Sequence, residues 1–260
     1  MLVQGGSFRA SDTFPSDRHL IELWAPNSQP LTNSEGYFDQ KSPIYYEDIT
    51  FRDILFDSSY RGGGIFVIDS ARIRIHDYFF IHFTSEGILV QKGHETFIST
   101  CFLGQCSTVG GDKRERAFSG TAIDLASNDN AVTDVVIFSA ATGVILRGQT
   151  NLLTGVYCYN KATVFGGVGI LVKSAQNRIH NCYMDYNAIL IEDPFQVQVA
   201  NGFFLGDGNI VLKSIKGFSL HAMTNVSSNV VVVESDRAMI GVVSMVVDQN
   251  NMVGERNFLM

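Results

Sequence analysis

The sequence predicts an all-β solenoid in which short strands stack coil upon coil along one axis. A strand-like motif of the form Gly-Ile-x-Val recurs, and its first apolar residue lies at positions 65, 88, 123, 144, 170, 189, 210 and 232. The successive steps are 23, 35, 21, 26, 19, 21 and 22 residues. A period of about 20–25 residues that carries strands rather than helices is typical of a β-solenoid.

The composition agrees with this fold class and excludes several functions. The chain of 260 residues contains 24 Gly and is only 17% charged, which favours short strands and turns over long surface helices. Its net charge of −7 and the lack of a basic run argue against nucleic acid as a partner. No apolar run approaches the about 20 residues of a membrane span, so we expect no membrane partner. The four Cys lack zinc-ligand spacing, and we expect neither a metal nor a cofactor.

We expect one domain over residues 1–260, in three parts. Residues 1–48 form an irregular first coil and a loop, because Pro26, Pro30 and Pro43 interrupt regular structure after a strand-like segment at 20–24. Residues 49–215 form the regular coils, and residues 216–260 form the last coils and a C-terminal cap over the open end. The first residues show no basic or apolar leader, and we expect that upstream sequence is missing.

The halves of the coils that precede the repeat also align. One column contains Phe79, Cys101, Ile137, Cys158, Cys182 and Phe203, and the next contains Phe80, Phe102, Phe138, Tyr159, Tyr183 and Phe204. Since neighbouring strand residues point to opposite faces, one column must face inward, and we assign the interior to the column with the short Cys residues. Asn residues punctuate the corners, where we expect left-handed backbone and side-chain ladders between coils.

One coil carries a long insertion with the densest charge in the chain. It extends from residue 103 to residue 120 and includes Asp112, Lys113, Arg114, Glu115 and Arg116. Insertions in solenoids map to loops, often on the binding face. The alternative is a solvated loop whose charges pair with one another.

The coil pattern resembles the right-handed parallel β-helix of the pectin lyase-like superfamily, which here implies about eight to ten coils. Segments 110–125, 128–134, 158–163 and 204–207 resemble, more specifically, the plant quartet-type polygalacturonases. The resemblance covers about residues 5–255. It implies a secreted protein of the plant cell wall that hydrolyses the α-1,4-galacturonan of pectin.

Polygalacturonase hydrolases usually carry four motifs on successive coils: Asn-Thr-Asp-Gly, Asp-Asp, Gly-His-Gly and Arg-Ile-Lys. Aligned on the repeating strand, the first corresponds to Thr84-Ser85-Glu86-Gly87 and the fourth to Leu171-Val172-Lys173. Segments 120–122 and 141–143 lack the Asp pair and the His. Two alternatives to a hydrolase therefore stay open: a non-catalytic polysaccharide-binding β-helix, and a pectate lyase-type enzyme, which uses Arg or Lys as base and usually binds Ca²⁺.

Inverting glycoside hydrolysis needs two carboxyl groups about 6.5–9.5 Å apart, a distance that coils about 4.8 Å apart provide readily. We predict Asp124, Glu86 and Asp112 as catalytic carboxylates. Asp124 takes the outward position of a row whose other members are apolar: Phe66, Leu89, Ile145, Leu171, Leu190 and Val211. Such surroundings raise the pKa of Asp124, as a general acid requires. The alternative is a solvated Asp124 paired with Arg147 or Lys173.

A polyanionic substrate favours cations in its groove. Arg147, Lys173 and Lys213 follow the repeating strand in three coils, and Arg114 lies in the long insertion. We predict these four as substrate-binding residues, since Arg and Lys both bind carboxylates. The alternative is ordinary edge charges balanced by acidic neighbours. The apolar outward row itself indicates that a loop, a further domain or another subunit covers this face, and the oligomeric state stays open.

Overall fold

The structure is a computed structural model, and it describes residues 1–31, 43–104, 120–159, 167–185, 187–192, 195–205, 208, 210–212, 223–224 and 230–232. The described residues form strands and the turns between them, without a helix. None of their segments is therefore a helix long and apolar enough to cross a membrane. The prediction of an all-β chain is confirmed.

The strands lie on three faces, and each pairs in parallel with the equivalent strand of the next coil. The first face contains β1 (Leu2–Gln4), β5 (Thr50–Arg52), β9 (Arg74–His76), β12 (Phe97–Ser99), the first halves of β15 (Ala131–Phe138) and β17 (Leu152–Tyr159), β19 (Arg178–His180), β22 (Gln198–Ala200) and β25 (Met223–Thr224). The second face contains β2 (Ser7–Arg9), β6 (Leu55–Asp57), β10 (Phe79–Ile81), β13 (Phe102–Gly104), the second halves of β15 and β17, β20 (Tyr183–Asp185) and β23 (Phe203–Leu205). The third face contains β3 (His19–Leu23), β7 (Gly63–Ile68), β11 (Glu86–His94), β14 (Thr121–Asn128), β16 (Thr142–Leu146), β18 (Gly167–Val172), β21 (Asn187–Ile191), β24 (Ile210–Leu212) and β26 (Val230–Val232), with β4 (Tyr46–Glu47) and β8 (Ser70–Ala71) at its edge.

The nine strands along the third face give nine coils in the described part of the chain. The prediction of a parallel β-helix of about eight to ten coils is confirmed. In the first coil, β1, β2 and β3 place one strand on each face. The division of the domain at residues 48 and 215 stays a prediction, and most of residues 216–260 lies outside the described residues.

The interior consists of apolar columns to which each coil contributes one residue. On the third face the column aligns Cα to Cα and every member is 0% exposed: Ile65, Ile88, Ile123, Val144, Ile170, Ile189 and Ile210. Ile21 begins this column one coil earlier, and Val230 continues it. The predicted last position, Val232, is wrong by two residues. Because residues 230–233 are all Val, the sequence does not show which of them aligns with Ile210.

The columns of the second face differ from the prediction. The inward column is Phe56, Phe80, Leu103, Ile137, Cys158, Met184 and Phe204, and the outward column is Leu55, Phe79, Phe102, Val136, Tyr157, Tyr183 and Phe203. Cys101 and Cys182 belong to neither, because they fill the corner just before their strands, where they are buried like Cys158. The prediction failed because aromatic residues occupy both sides of this face, so the pattern does not separate inward from outward positions.

A ladder of buried Asn residues links successive coils at one corner, as predicted. The Asn151 Oδ1 atom accepts hydrogen bonds from the Asn130 backbone N–H (3.0 Å) and from Asn130 Nδ2 (2.8 Å). The Asn151 backbone N–H in turn donates to Asn177 Oδ1 (3.0 Å). The left-handed residue is the one before each Asn: Asp129 (φ 57°), Thr150 (φ 58°) and Gln176 (φ 62°). At this corner the Asn residues therefore contribute hydrogen bonds, and their predecessors supply the turn that we had assigned to Asn.

Three cysteine thiols are buried, and we expect them to be unreactive in the native protein. Cys101, Cys158 and Cys182 are free and buried. Desolvation raises the pKa of Cys101 and of Cys182 to about 12, and it also raises the pKa of Cys158. Because the thiolate is the reactive form, we expect iodoacetamide at pH 8 to leave these three residues unmodified in the native protein and to modify them in urea. Peptide mass spectrometry measures this, and rapid modification of native Cys158 would contradict it.

Candidate functional site

The outward surface of the third face carries the candidate site. Its middle row aligns Asp124 with the apolar residues that the sequence predicts: Phe66, Leu89, Ile145, Leu171, Leu190 and Val211. Phe66, Asp124 and Ile145 are only 6%, 2% and 7% exposed. These three positions are therefore covered, whereas Leu89, Leu171, Leu190 and Val211 are only partly buried. The segment after β3 returns to this face, since the Leu31 N–H donates to Gln91 Oε1 (2.9 Å).

Asp124 forms a buried two-pronged ion pair with Arg147. The Arg147 Nε atom lies 2.9 and 3.0 Å from the two carboxylate oxygens, and Nη2 lies 2.7 Å from Oδ2. The side chains are 3% and 15% exposed. Burial raises the pKa of Asp124, the Arg147 guanidinium opposes the rise, and the charge of Glu86 adds to it. The pairing matches one alternative from the sequence, but Asp124 is buried rather than solvated.

Glu86 lies on the same face, on the coil before Asp124. It aligns with Thr121, and Asp124 lies three residues further along that strand. From about 3.3 Å per residue along a strand and about 4.8 Å between strands, the two Cα atoms are about 11 Å apart. The side chain of Glu86 is 27% exposed. The structure therefore brings one accessible and one buried carboxylate to the same surface.

His19, which the sequence analysis missed, lies beside Glu86. Its Nε2 atom is 3.3 Å from Glu86 Oε2, and the residue is 9% exposed. His19 aligns with Gly63, and Glu86 follows on the next coil, so the two side chains meet above a glycine. The signal in the sequence was the match of Leu20-Ile21 to Gly64-Ile65, which places His19 in this register.

The absence of a side chain at Gly63 is what allows this contact. A Cβ atom there would lie 2.2 Å from His19 Cδ2 and 2.4 Å from the Glu86 carbonyl oxygen. Because the second neighbour is backbone, we expect Gly63→Ala to lower the free energy of unfolding by about 1–3 kcal/mol, measured by urea denaturation. Gly202→Ala is the milder comparison and should cost less, since its Cβ would meet only a side chain, the Phe204 ring at 2.9 Å, and no backbone atom. Equal losses in both variants would contradict the crowding argument.

The predicted cations are only partly within the described residues. Arg147 and Lys173 follow aligned residues of adjacent coils, and Lys173 Nζ lies 4.0 Å from Glu192 Oε2. Lys213, Arg114 and the third predicted carboxylate, Asp112, lie outside the described residues. The structure thus brings Glu86, Asp124, Arg147 and Lys173 to one face.

Comparisons with known proteins give one close relative and one likeness of fold. No protein-family model matches the chain. The chain is 53% identical over 222 residues to Polygalacturonase QRT3 of Arabidopsis thaliana. The aligned segment covers 84% of this chain and 44% of the relative. The chain thus spans less than half the length of that relative. The solved structure of ORF18 from Geobacillus virus E2 is similar with a TM-score of 0.50 and 12% identity, over 92% of this chain and 53% of that chain.

The two comparisons differ in what they establish. The viral protein shares the fold with 12% identical residues, so a common solenoid does not by itself produce high identity. The identity of 53% to the plant protein therefore reflects a family relationship rather than a shared repeat. Over 84% of its length, the chain is therefore related to a plant polygalacturonase.

Proposed function

We propose that the chain is part of a polygalacturonase-like glycoside hydrolase that acts on pectic galacturonan in the plant cell wall. The observation that carries this proposal is the 53% identity to Arabidopsis Polygalacturonase QRT3. The third face supports it with two carboxylates and two cations on one surface. Because this substrate lies in the cell wall, we propose that the protein is secreted.

Inverting hydrolysis needs one carboxyl group as general acid and a second as general base. In our proposal Asp124, whose pKa burial raises, is the acid, and the more exposed Glu86 is the base that activates water. A galacturonate carboxylate that binds Arg147 competes with Asp124 for the guanidinium. Asp124 then loses the group that opposes the rise of its pKa and is protonated more readily.

The remaining predicted residues complete the proposed site. Lys173 binds a second substrate carboxylate as a point charge. Arg114 and Lys213 are proposed as further substrate-binding cations, and Asp112 as a third candidate carboxylate.

The test is reducing-sugar release from polygalacturonic acid by the full-length secreted protein. We expect Asp124→Asn and Glu86→Gln each to lower kcat by about 10²–10⁴-fold, the usual contribution of general acid–base catalysis. Asp129→Asn and Glu95→Gln, at carboxylates outside the site, are the matched controls and should retain activity. Circular dichroism checks that each variant is folded. Activity that survives Asp124→Asn and Glu86→Gln together would overturn the assignment of these residues.

A second candidate function is non-catalytic binding of pectic polysaccharide. The observation that favours it is the Asp124–Arg147 pair, in which Arg147 engages both carboxylate oxygens. Binding of polygalacturonate without product release would support this function. A lyase would instead yield an unsaturated product that absorbs in the ultraviolet, and its activity would depend on Ca²⁺.

A further inference from the structure

We propose that His19 is the positioning residue for Glu86, holding a proton between its Nε2 atom and the Glu86 carboxylate across Gly63. The shared proton rests on geometry alone. Its catalytic consequence rests on the proposed function, in which Glu86 is the base.

The contact is partly buried and leaves a polar atom to be satisfied. The His19 side chain is 6% exposed, the Glu86 side chain is 27% exposed, and Nε2 is 3.3 Å from Oε2. Within the described residues, His19 Nε2 makes no hydrogen bond of favourable geometry. An unpaired buried polar group costs about 1–3 kcal/mol, and a nitrogen lone pair that faces a carboxylate is repelled by it. A proton held between the two atoms removes both penalties.

The neighbouring side chains keep the imidazole in this place. The Phe66 ring of the adjacent coil lies 5.6 Å from the His19 ring, centroid to centroid. Gly63 leaves the space above the backbone open toward Glu86. The His19 backbone N–H donates to Glu22 Oε1 (2.9 Å), which fixes the start of β3. The ring is therefore held on the buried side of Glu86, and the carboxylate occupies the accessible side.

The charges around the pair single out His19 as the partner of Glu86. Glu22 is bound by Arg18, whose Nε lies 2.7 Å from Glu22 Oε1. Burial alone would raise the pKa of Glu22, but the bonds from Arg18 and from the His19 N–H outweigh it and lower that pKa. Asp124 is bound by Arg147. Each of these two carboxylates thus has its own cation, and the ion-pair partner of Glu86 within the described residues is His19.

The first arm of the experiment observes the proton directly and needs no activity. In protein labelled with ¹⁵N-histidine, long-range ¹H–¹⁵N spectra show which ring nitrogen is protonated, and His19→Gln assigns the signal. We expect the His19 Nε2 signal to be that of a protonated nitrogen and to shift in Glu86→Gln. The control, Glu95→Gln, should leave it unchanged. A His19 spectrum that is identical in Glu86→Gln and wild type would overturn the proposal.

The second arm measures the consequence for polygalacturonic acid hydrolysis. A misplaced catalytic group costs up to about 10²-fold, so we expect His19→Leu to lower kcat by about 10–100-fold with KM nearly unchanged. His19→Gln keeps an N–H donor near the position of Nε2 and should recover most of the loss. Wild-type kcat in a folded His19→Leu variant would refute the positioning role. If the wild-type protein releases no sugar, the proposed function fails, and the spectra alone decide whether the pair exists.

Discussion

Arg147→Met is expected to lower the free energy of unfolding at pH 7 by about 3–5 kcal/mol, because it leaves a buried carboxylate without its partner. The Asp124 side chain is 3% exposed, and Arg147 binds both of its oxygens at 2.7–3.0 Å. Urea denaturation followed by circular dichroism measures the loss. It should exceed the effect of most single substitutions, which cost about 0.5–3 kcal/mol.

The double variant Asp124→Leu/Arg147→Met distinguishes the effect of an unpaired buried charge from the effect of changed packing. Position 124 aligns with Leu89 and Ile145, so a Leu there continues the apolar row. Replacing both partners of a buried ion pair by apolar residues is often neutral or stabilising. We therefore expect the double variant to unfold close to wild type. A double variant that loses as much stability as Arg147→Met would show that the unpaired charge is not the cause.

The loss in Arg147→Met is also expected to shrink as the pH falls. Burial raises the pKa of folded Asp124 above the ordinary value of 3.8, and Arg147 is the main group that opposes this rise. A carboxyl with a raised folded pKa binds its proton more readily in the folded state, so it destabilises the fold only above the unfolded pKa. The difference between variant and wild type should be smaller at pH 4 than at pH 7. A larger difference at pH 4 would contradict the burial of an unpaired carboxylate.

Asn151→Ala is the second large expected effect, a loss of about 3–5 kcal/mol in the free energy of unfolding. The Asn151 side chain accepts two hydrogen bonds from Asn130 and donates one to the Gly148 carbonyl (2.9 Å), and the residue is 0% exposed. Its removal leaves the Asn130 backbone N–H buried without its acceptor. Thermal and urea unfolding measure the change.

The matched control for the Asn ladder is Asn27→Ala, at an exposed turn position. Surface substitutions away from special features usually change stability by less than about 0.5 kcal/mol. A difference of several kcal/mol between the two Asn variants is therefore expected. Similar small losses in both would mean that the buried ladder contributes little to the stability of the coils.

In the candidate site, the repeat in the sequence predicts the position of Asp124 but not its ion-pair partner. Asp124 stands out because the six residues aligned with it are apolar, and the structure keeps that register. Its partner could not be chosen in advance, since Arg147 and Lys173 follow the strand at the same point of successive coils. The structure decides for Arg147, which lies on the coil next to Asp124, whereas Lys173 lies one coil further and contacts Glu192.

The repeat alone predicts the solenoid, its third-face column and the Asn ladder, because every coil places the same kind of residue at the same buried position. The folded structure is needed to assign the columns of the second face, where aromatic residues lie both inside and outside, and to find the contact of His19 with Glu86. The match of Leu20-Ile21 to Gly64-Ile65 indicates the register of β3 against β7, but periodicity does not show which side chains meet across that register. Once the chain is folded, backbone pairing sets His19 against Gly63, and the missing side chain lets it reach Glu86.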